Sequence, residues 1–339
     1  MNGSSRRNRF RVSLVILSCI MAVGLVFGGS GICEAKAKYV LKVGHVFTSS
    51  HPWQKALEGM ASDVAEATNG EVEIRVFPSS QLGGDRDMAE GLQMGSIEMA
   101  LIGTGALQSL DKVMIVEELP YAWVKRENAY KALDGELGEI LKDRMKSKGI
   151  IGLSFWASGY RHITNNVRPI NTVDDLKGLK LRVPEAEMRI DTFKELGTLP
   201  TPLAFSEVFT ALQQRVVDGQ ENPLATIYSS KFFEVQKYLC ISRHIWGSAF
   251  LAISEKTWNN LPEEYRTIIS DKAEVWKEKE RQMIVDSEKS ILEDLKAKGM
   301  VVTEPELGIF KEKVAPVWTK YESVFGKDII DVVRKYSNL

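Results

Sequence analysis

GYRHITNNVRPINTVDDLKGLKLRVPEAEMRIDTFKELGTLPTPLAFSEVFTALQQRVVDGQENP occupies residues 159–223 and carries most of the information on architecture and site. Its arginines Arg161 and Arg182 flank a short polar connection, and its last residues, Asp218 to Pro223, have the composition of a turn. Leu181-Arg182-Val183 is typical of a short strand that ends close to Arg182. Because open α/β sheets bind ligands beyond their strand ends, this pattern places a candidate site at Arg182.

The residues before this stretch alternate between strand and helix patterns. Strands are predicted over 39–46, 72–77 and 97–102, and helices over 51–65 and 86–94, the latter capped by Asp85 and closed by Gly95. A β-α-β-α-β order of this kind predicts parallel strands joined by right-handed crossovers. The first part of the chain is therefore predicted to have an α/β fold.

The remaining pattern adds three further features. A long helix is predicted over 128–148 and a strand over 150–156, followed inside the quoted stretch by helices over 186–196 and 206–215. A strand is predicted over 251–254 and a single helix over 262–298. At 1.5 Å per residue the last helix would be about 55 Å long, so it is expected to run across both lobes of a two-lobed molecule.

The first 37 residues read as a secretory signal peptide. A basic start with Arg6, Arg7, Arg9 and Arg11 precedes an apolar run from 12 to 27, and Ala35-Lys36-Ala37 supplies a small-residue cleavage site. The alternative is a membrane anchor, but the run is shorter than the roughly 20 residues that a spanning helix needs. We expect cleavage after Ala37, a periplasmic product and no stable membrane insertion afterwards.

Composition limits the function of the mature chain. Removal of five basic residues and one acidic residue with the signal leaves 39 basic and 44 acidic residues, a net charge of −5. No basic field is then present for nucleic acid. Cys19 and Cys33 leave with the signal, so Cys240 alone remains and no intrachain disulfide can form. No HExxH or Cys/His spacing of a zinc site and no GxSxG elbow occurs, so no metal, cofactor or catalytic residue is predicted.

The quoted stretch, together with FPSSQLG at 77–83 and KFFEVQKY at 231–238, resembles the solute-binding proteins of tripartite ATP-independent periplasmic (TRAP) transporters, the DctP family. The resemblance covers nearly the whole mature chain. It implies a two-lobed periplasmic-binding-protein fold with a long helix spanning both lobes. Lobe I would comprise 38–159 plus 248–285, and lobe II 160–247 plus 286–339. It also implies a small carboxylate ligand and a membrane permease of a small and a large subunit as partners.

The resemblance assigns roles to four residues. Arg182 matches the family's carboxylate clamp, a role that suits a guanidinium because its planar fork pairs with a carboxylate in a bidentate manner. Arg161 matches a second site arginine, although a salt bridge on the hinge side is an alternative for it. Asn222 matches a site asparagine whose amide can donate and accept. Phe205 matches an aromatic wall, and without the resemblance it would be an ordinary core aromatic.

Four further residues are predicted to lie at the site. Glu185 follows Arg182 closely and would accept hydroxyl hydrogen bonds while repelling a second carboxylate. Trp246 could stack on a sugar ring, with core packing as the alternative. His45 follows the first strand and would line the cleft. Asp85 would lie at a helix start facing the cleft, with solvated capping as the alternative.

These residues favour one ligand class over its rivals. A hydroxylated monocarboxylate, such as a uronate or an aldonate, fits Arg182 together with Glu185 best. Family members that bind sialic acid carry an asparagine at position 185 and a glutamate at position 103, where this chain has Glu185 and Gly103, so sialic acid is disfavoured. A C4-dicarboxylate receptor and, in another class, a periplasmic lyase or hydrolase acting on acidic sugars remain as alternatives to a sugar-acid receptor.

Overall fold

The structure, a computed structural model, describes residues 37–337. The predicted signal peptide, with Cys19 and Cys33, lies outside the described residues except for Ala37. The strands are β1 (Tyr39–Gly44), β2 (Val72–Phe77), β3 (Met99–Gly103), β4 (Ile150–Asn165), β5 (Lys180–Val183), β6 (Leu199–Pro202), β7 (Gly219–Pro223), β8 (Tyr238–Cys240), β9 (Trp246–Ser254) and β10 (Val301–Thr303). The helices are α1 (Pro52–Ala67), α2 (Asp85–Met94), α3 (Arg126–Leu133), α4 (Glu136–Lys146), α5 (Glu187–Glu195), α6 (Val208–Gln213), α7 (Leu224–Ser229), α8 (Glu255–Asn259), α9 (Glu263–Ala297), α10 (Gly308–Phe325) and α11 (Lys327–Ser337).

All the strands belong to one mixed sheet with the order β2-β1-β3-β9-β4-β7-β5-β6, to which β8 adds beside β4 and β10 beside β8. At one end β1 is parallel to β2 and β3, as the β-α-β-α-β pattern predicted. At the other end β5 is parallel to β6 and β7. The antiparallel strands β9 and β4 connect these two parallel parts, which we call the first and second parts of the sheet.

β4 is longer than the predicted strand over 150–156, because it continues to Asn165. It pairs with β9 up to Tyr160 and with β7 from Arg161 onward. Its register shifts between Ala157 and Gly159, where the glycine has a φ of +105°. A bulge of this kind bends a strand, so one continuous strand serves both parts of the sheet. The small residues at 157–159 end the sequence pattern but not the strand.

Two other elements also differ from their predictions. Residues 218–223 were predicted as a turn, yet Gly219–Pro223 is the buried strand β7. Its polar residues are tolerated inside the sheet because they have partners, for example Gln220, whose Nε2 donates to Thr164 Oγ1 at 2.9 Å. The predicted helix over 128–148 is split into α3 and α4. The carbonyl of Leu133 lies so close to Gly138 that a Cβ there would be 1.8 Å from it.

α9 confirms the predicted long helix to within one residue at each end. It packs on α1, on β4 and on α7, and so spans the first and second parts of the sheet. Its polar side chains fix β4 directly: Glu280 Oε2 accepts from the amide of Ala157 at 2.9 Å, and Arg281 Nη2 donates to the carbonyl of Phe155 at 2.7 Å.

A charged group that we call the back cluster lies where α9 meets the loop after α3. It consists of Asp134, Lys277 and Arg281. Asp134 accepts from both Arg281 Nη1 at 2.6 Å and Arg281 Nη2 at 2.9 Å, and Lys277 Nζ lies 3.0 Å from the same carboxylate. Lys277 also pairs with Glu274 at 2.5 Å. Both cations are buried and both have an acidic partner.

The C-terminal helix packs on a different part of the molecule from the one that the predicted lobe boundaries imply. α11 contacts α3 and α4, and Lys335 pairs with Glu136 at 2.6 Å. Residues 327–337 therefore lie against the segment predicted as lobe I, although they were predicted within lobe II. The other lobe boundaries stay a prediction. Along the part of the chain that the structure describes, no helix combines the length and apolarity needed to cross a membrane.

Candidate functional site

A cavity of about 860 Å³ lies beside β4, β5 and β7 and faces α2 and the 3₁₀ turns that follow β3. Six of the eight predicted site residues line it, namely Asp85, Arg161, Arg182, Glu185, Phe205 and Asn222. They come from elements as far apart in sequence as α2 and β7, and sheet pairing brings them together. β5 places Arg182 beside β7, and β7 runs antiparallel to the second half of β4.

Arg182 is buried, with 2% of its surface exposed, yet no acidic group lies within 4 Å of it in the described residues. Its Nε and Nη2 donate to the carbonyl of Leu203 at 3.0 and 2.6 Å. Its Nη1 has no hydrogen-bond partner among residues 37–337. Burial without a counterion lowers the pKa of Arg182, but a guanidinium stays charged at neutral pH. The site therefore holds a buried positive charge that lacks an anion.

Arg161 has the counterion that Arg182 lacks. Its Nε donates to Glu221 Oε2, its Nη2 lies 2.8 Å from Glu221 Oε1, and Nη2 also donates to Asn222 Oδ1 at 3.1 Å. Although burial opposes it, the charges of Arg161 and Arg189 hold the pKa of Glu221 well below its ordinary value. His244, neutral because burial lowers its pKa, donates from Nε2 to the same carboxylate at 3.0 Å. Arg161 therefore forms a structural ion pair, the alternative role given for it above, and it also borders the cavity.

Phe205 forms an aromatic wall together with residues of the first part of the sheet. Its ring packs edge-on against Phe47 with centroids 5.0 Å apart, and Phe47 contacts Trp53 at 4.6 Å. The guanidinium carbon of Arg182 lies 5.9 Å from the Phe205 centroid, within the range of a cation–π contact. Apolar surroundings of this kind strengthen the field of Arg182 inside the cavity.

Asp85 and Glu185 contribute carboxyl groups to the same cavity. Oδ1 of Asp85 is shielded from solvent and has no hydrogen-bond partner in the described residues. Burial raises the pKa of Asp85 to about 7, even though the amide of Gly103 and the charge of Arg182 oppose the shift. Glu185 is exposed at the rim of the cavity. Asp85 is the first residue of α2, and Gly84 precedes it as the N-cap.

Trp246 and His45 lie outside the cavity lining. Trp246 is 2% exposed and packs edge-on against Tyr130 with centroids 5.6 Å apart, while its neighbours Gly247 and Ser248 border the cavity. His45 is fully buried, and its Nε2 lies 2.7 Å from Oε1 of Gln54. Trp246 thus packs in the core, the alternative given for it above. A direct ligand contact by Trp246 or His45 would require a rearrangement of the cavity wall.

The structure adds a buried ion pair that the sequence analysis missed. Arg189 Nε and Nη2 donate to the two carboxylate oxygens of Glu118 at 2.9 and 2.5 Å, and Arg189 Nη1 donates to Glu221 Oε1 at 3.0 Å. Arg189 follows Arg182 by seven residues, but Glu118 is 71 residues away in sequence. A sequence pattern gives no signal for such a distant partner.

We call five buried charged residues of this site the cleft cluster: Arg161, Arg182, Arg189, Glu118 and Glu221. Three guanidinium groups face two carboxylates, so one positive charge remains. Glu117, next to Glu118, does not change this balance, because burial and the charge of Glu118 raise its pKa to about 8 and keep it protonated at neutral pH. Within residues 37–337 no group of three His, Cys, Asp or Glu side chains is arranged to hold a metal ion.

Three solved structures show what this chain is similar to. A TRAP periplasmic solute-binding protein from Polaromonas sp. JS666, bound to D-erythronate, is 35% identical and covers 87% of this chain and 98% of its own, with a TM-score of 0.85. The sugar-acid-binding protein DctPAm from Advenella mimigardefordensis, in complex with galactonate, is 32% identical over 89% and 99%, with a TM-score of 0.87. A TRAP periplasmic solute-binding protein from Sulfurospirillum deleyianum, with bound succinate, is 32% identical over 88% and 99%, with a TM-score of 0.84.

The family profile named "Bacterial extracellular solute-binding protein, family 7" (DctP) matches residues 43–324, which include every residue of the cavity lining. The two-lobed periplasmic-binding-protein fold predicted from sequence is confirmed, with α9 as the helix that spans it. The chain belongs to the bacterial extracellular solute-binding protein family 7, the DctP family of TRAP solute receptors.

Proposed function

We propose that this receptor binds a sugar acid, an aldonate or a uronate, with the ligand carboxylate held by Arg182. The observation that carries the proposal is the buried guanidinium of Arg182, which has only the carbonyl of Leu203 as a partner in the described residues. A carboxylate would replace the missing counterion and engage the unpartnered Nη1. Asn222 and Arg161 border the same space, and we propose that they contact the same end of the ligand.

The charge balance supports a ligand with a single carboxylate. The cleft cluster has one positive charge in excess, and Asp85, whose pKa is about 7, adds part of a negative charge to the same cavity. One ligand carboxylate is therefore enough to neutralise the site, whereas a second one would be a buried negative charge without a partner. An uncompensated buried charge is costly. Oδ1 of Asp85 and the carboxylate of Glu185 can instead accept or exchange hydrogen bonds with hydroxyl groups. The relatives bound to D-erythronate and galactonate hold ligands of this kind.

Location and partners follow from the family in the same proposal. The signal peptide of residues 1–37 would deliver the chain to the periplasm with cleavage after Ala37. The closed, liganded receptor would then dock on the small and large permease subunits of a TRAP transporter. A receptor returns its ligand unchanged, so we propose no enzymatic turnover and no cofactor.

A C4-dicarboxylate is the second candidate, because one relative of similar identity holds succinate. In this chain a second carboxylate could reach Lys112, which is exposed at the rim of the cavity and pairs with Glu187 at 3.1 Å. Lys112 is already paired with Glu187, and the acidic Glu185 also lines the cavity. A dicarboxylate is therefore the weaker candidate.

The test is a thermal-shift and calorimetric screen of processed protein that has been stripped of ligand by unfolding and refolding. The panel holds galactonate, D-erythronate, galacturonate, succinate and malate. Ligand at 100 times its Kd should stabilise the protein by about 2.7 kcal/mol. We expect sugar acids to bind at least tenfold more tightly than the dicarboxylates, and the compound recovered after binding to be chemically unchanged.

Variants assign the contacts within this screen. Asp85→Asn preserves the shape of the side chain but removes its acidity, so it should weaken sugar acids several-fold while leaving succinate unaffected. Tight succinate or malate binding with no sugar-acid binding would reject the sugar-acid proposal but retain the receptor. Release of a product from any sugar acid would reject the proposal that the protein is not an enzyme.

A further inference from the structure

We infer that the Arg189–Glu118 ion pair is a positioning device that holds the cavity closed and so determines how long a ligand stays at Arg182. The inference rests on the proposed function insofar as it needs a receptor that closes on its ligand. Neither residue has to touch the ligand for the device to work. Its partners are already complete in the described structure, because Arg189 Nε and Nη2 take both oxygens of Glu118.

The pair joins the two parts of the molecule that enclose the cavity. Glu118 ends a 3₁₀ turn that follows β3, in the first part of the sheet, and its neighbour Glu117 accepts from Ser248 of β9. Arg189 lies in the first turn of α5, directly after β5 of the second part. Both side chains border the cavity, and Glu118 is 2% and Arg189 3% exposed. Opening the cavity would therefore separate this pair.

A second contact closes the same gap at the surface. The side-chain amide of Gln108 donates to the carbonyl of Glu185 at 2.6 Å and accepts from the amide of Glu187 at 3.1 Å. Both backbone groups belong to the segment between Arg182 and Arg189. The segment from β5 to α5 is thus attached to the opposite wall of the cavity by two contacts, the buried Arg189–Glu118 pair and the exposed Gln108 hydrogen bonds. These contacts fix the position of Glu185 at the cavity rim.

The pair is also linked to the carboxylate end of the proposed site. Arg189 Nη1 donates to Glu221, Glu221 accepts from Arg161, and Arg161 donates to Asn222. Glu221 is thus shared by two guanidinium groups in a dry environment. Loss of Arg189 would leave Glu118 buried without its cation, and loss of Glu118 would leave Arg189 with Glu221 as its acidic partner and two donors unpaired. Either change would disfavour the closed form.

The inference predicts a kinetic signature. A ligand enters while the cavity is open, before Arg189 and Glu118 have met, and it leaves only after they have separated. Removing the pair should therefore raise the dissociation rate and leave the association rate almost unchanged. A pair that only stabilised the fold would lower the melting temperature without this asymmetry.

The experiment measures association and dissociation of galactonate or D-erythronate by stopped-flow tryptophan fluorescence. Glu118→Gln keeps the shape but removes the charge, and Arg189→Met removes the other partner. We expect each variant to dissociate at least tenfold faster, with association within threefold of the wild type, and the double variant to add little. Lys320→Met is the matched control, since it removes an exposed ion pair to Asp191 on the outer side of the same helix.

A second measurement does not depend on the ligand. Met94 and Val216 are both exposed. Met94 ends α2, which packs on β3 of the first part of the sheet, and Val216 lies between α6 and β7 of the second part, so spin labels at Met94→Cys and Val216→Cys report the distance across the molecule. We expect Glu118→Gln to deplete the shorter distances in both the ligand-free and the galactonate-loaded protein. If none of the acids binds, the proposed function fails, but the distances in the ligand-free protein still show whether the Arg189–Glu118 pair favours the closed form. Unchanged rates together with unchanged distances, or a shift in melting temperature alone, would overturn the inference.

Discussion

The cleft cluster and the back cluster both combine buried cationic side chains with carboxylates, but they differ in charge balance. In the back cluster Arg281 and Lys277 share Asp134, and Lys277 also has Glu274, so each buried cation has an acidic partner. In the cleft cluster the partner of Arg182 among residues 37–337 is a backbone carbonyl, that of Leu203. A fold tolerates a buried guanidinium without a counterion only if something else repays its desolvation. The difference separates charges that hold the scaffold together from a charge that awaits an anion.

The largest expected effect comes from the charge without a partner. Arg182→Met should weaken binding of a carboxylate ligand by roughly 100-fold or more, because a desolvated ion pair is lost. The same change should alter the unfolding free energy of the ligand-free protein by no more than about 1 kcal/mol, since no acid is left unpaired. Calorimetric titration and denaturant unfolding measure the two quantities.

The pattern of losses decides the interpretation of this variant. A large loss of stability with unchanged affinity would mean that Arg182 is a scaffold residue like Arg281. A loss of affinity for galactonate and for succinate alike would show that the arginine binds the carboxylate common to both, and that selectivity comes from elsewhere in the cavity.

Arg281 of the back cluster should show the opposite pattern, a loss of stability without a loss of ligand affinity. Arg281→Met should lower the unfolding free energy by roughly 2 kcal/mol, because the carbonyl of Phe155 loses its side-chain donor and Asp134 loses the two donors of Arg281, although Asp134 keeps Lys277 and stays partly hydrated. Ligand affinity should change by less than threefold. The measurement is denaturant unfolding in parallel with the Arg182 variant. A stability equal to that of the wild type would show that the back cluster does not support the fold.

The elements that form the two clusters could be predicted from the sequence only in part. The helical pattern of α9 is local, and neither Pro nor Gly interrupts it between Pro262 and Gly299, so its bounds were predicted to within one residue. Arg182 was located because a strand pattern and the family resemblance coincide at one position. β7 was missed because Gly219 to Pro223 has the composition of a turn, and its burial depends on partners in β4 and β5.

The missed parts of the site share one cause. Arg189 lies in a short helix whose buried face cannot be recognised without its neighbours, and Glu118 is supplied by a 3₁₀ turn much earlier in the chain. For Trp246 the sequence left stacking on a sugar ring and core packing open, because the direction of a side chain in a strand depends on a register that composition does not reveal. Charge balance in a buried site is likewise a property of the assembled elements.

The smallest expected effect concerns two protonated carboxyl groups, one near each cluster. Burial raises the pKa of Glu117 beside the cleft and of Glu280 beside the back cluster to about 8. Between the unfolded pKa near 4.5 and this value the folded state binds more protons than the unfolded state, so stability falls as pH rises. Each group contributes a slope on the order of 1 kcal/mol per pH unit in that window.

The slope is best isolated between pH 6.8 and about 8. Below this range the buried histidines act in the opposite direction, because burial lowers their pKa values, and the thiol of Cys240 acts above it. Asp85, whose pKa is about 7, adds to the slope at the lower end of this range, so the measurement is made in the Asp85→Asn background. There Glu117→Gln and Glu280→Gln should each remove about half of the slope, measured as unfolding free energy at each pH. Since Glu118 also raises the pKa of Glu117, Glu118→Gln should flatten the slope on the cleft side and leave that of Glu280 intact. An equal effect of Glu118→Gln on the slope in the Glu117→Gln background would mean that the two carboxyl groups do not interact.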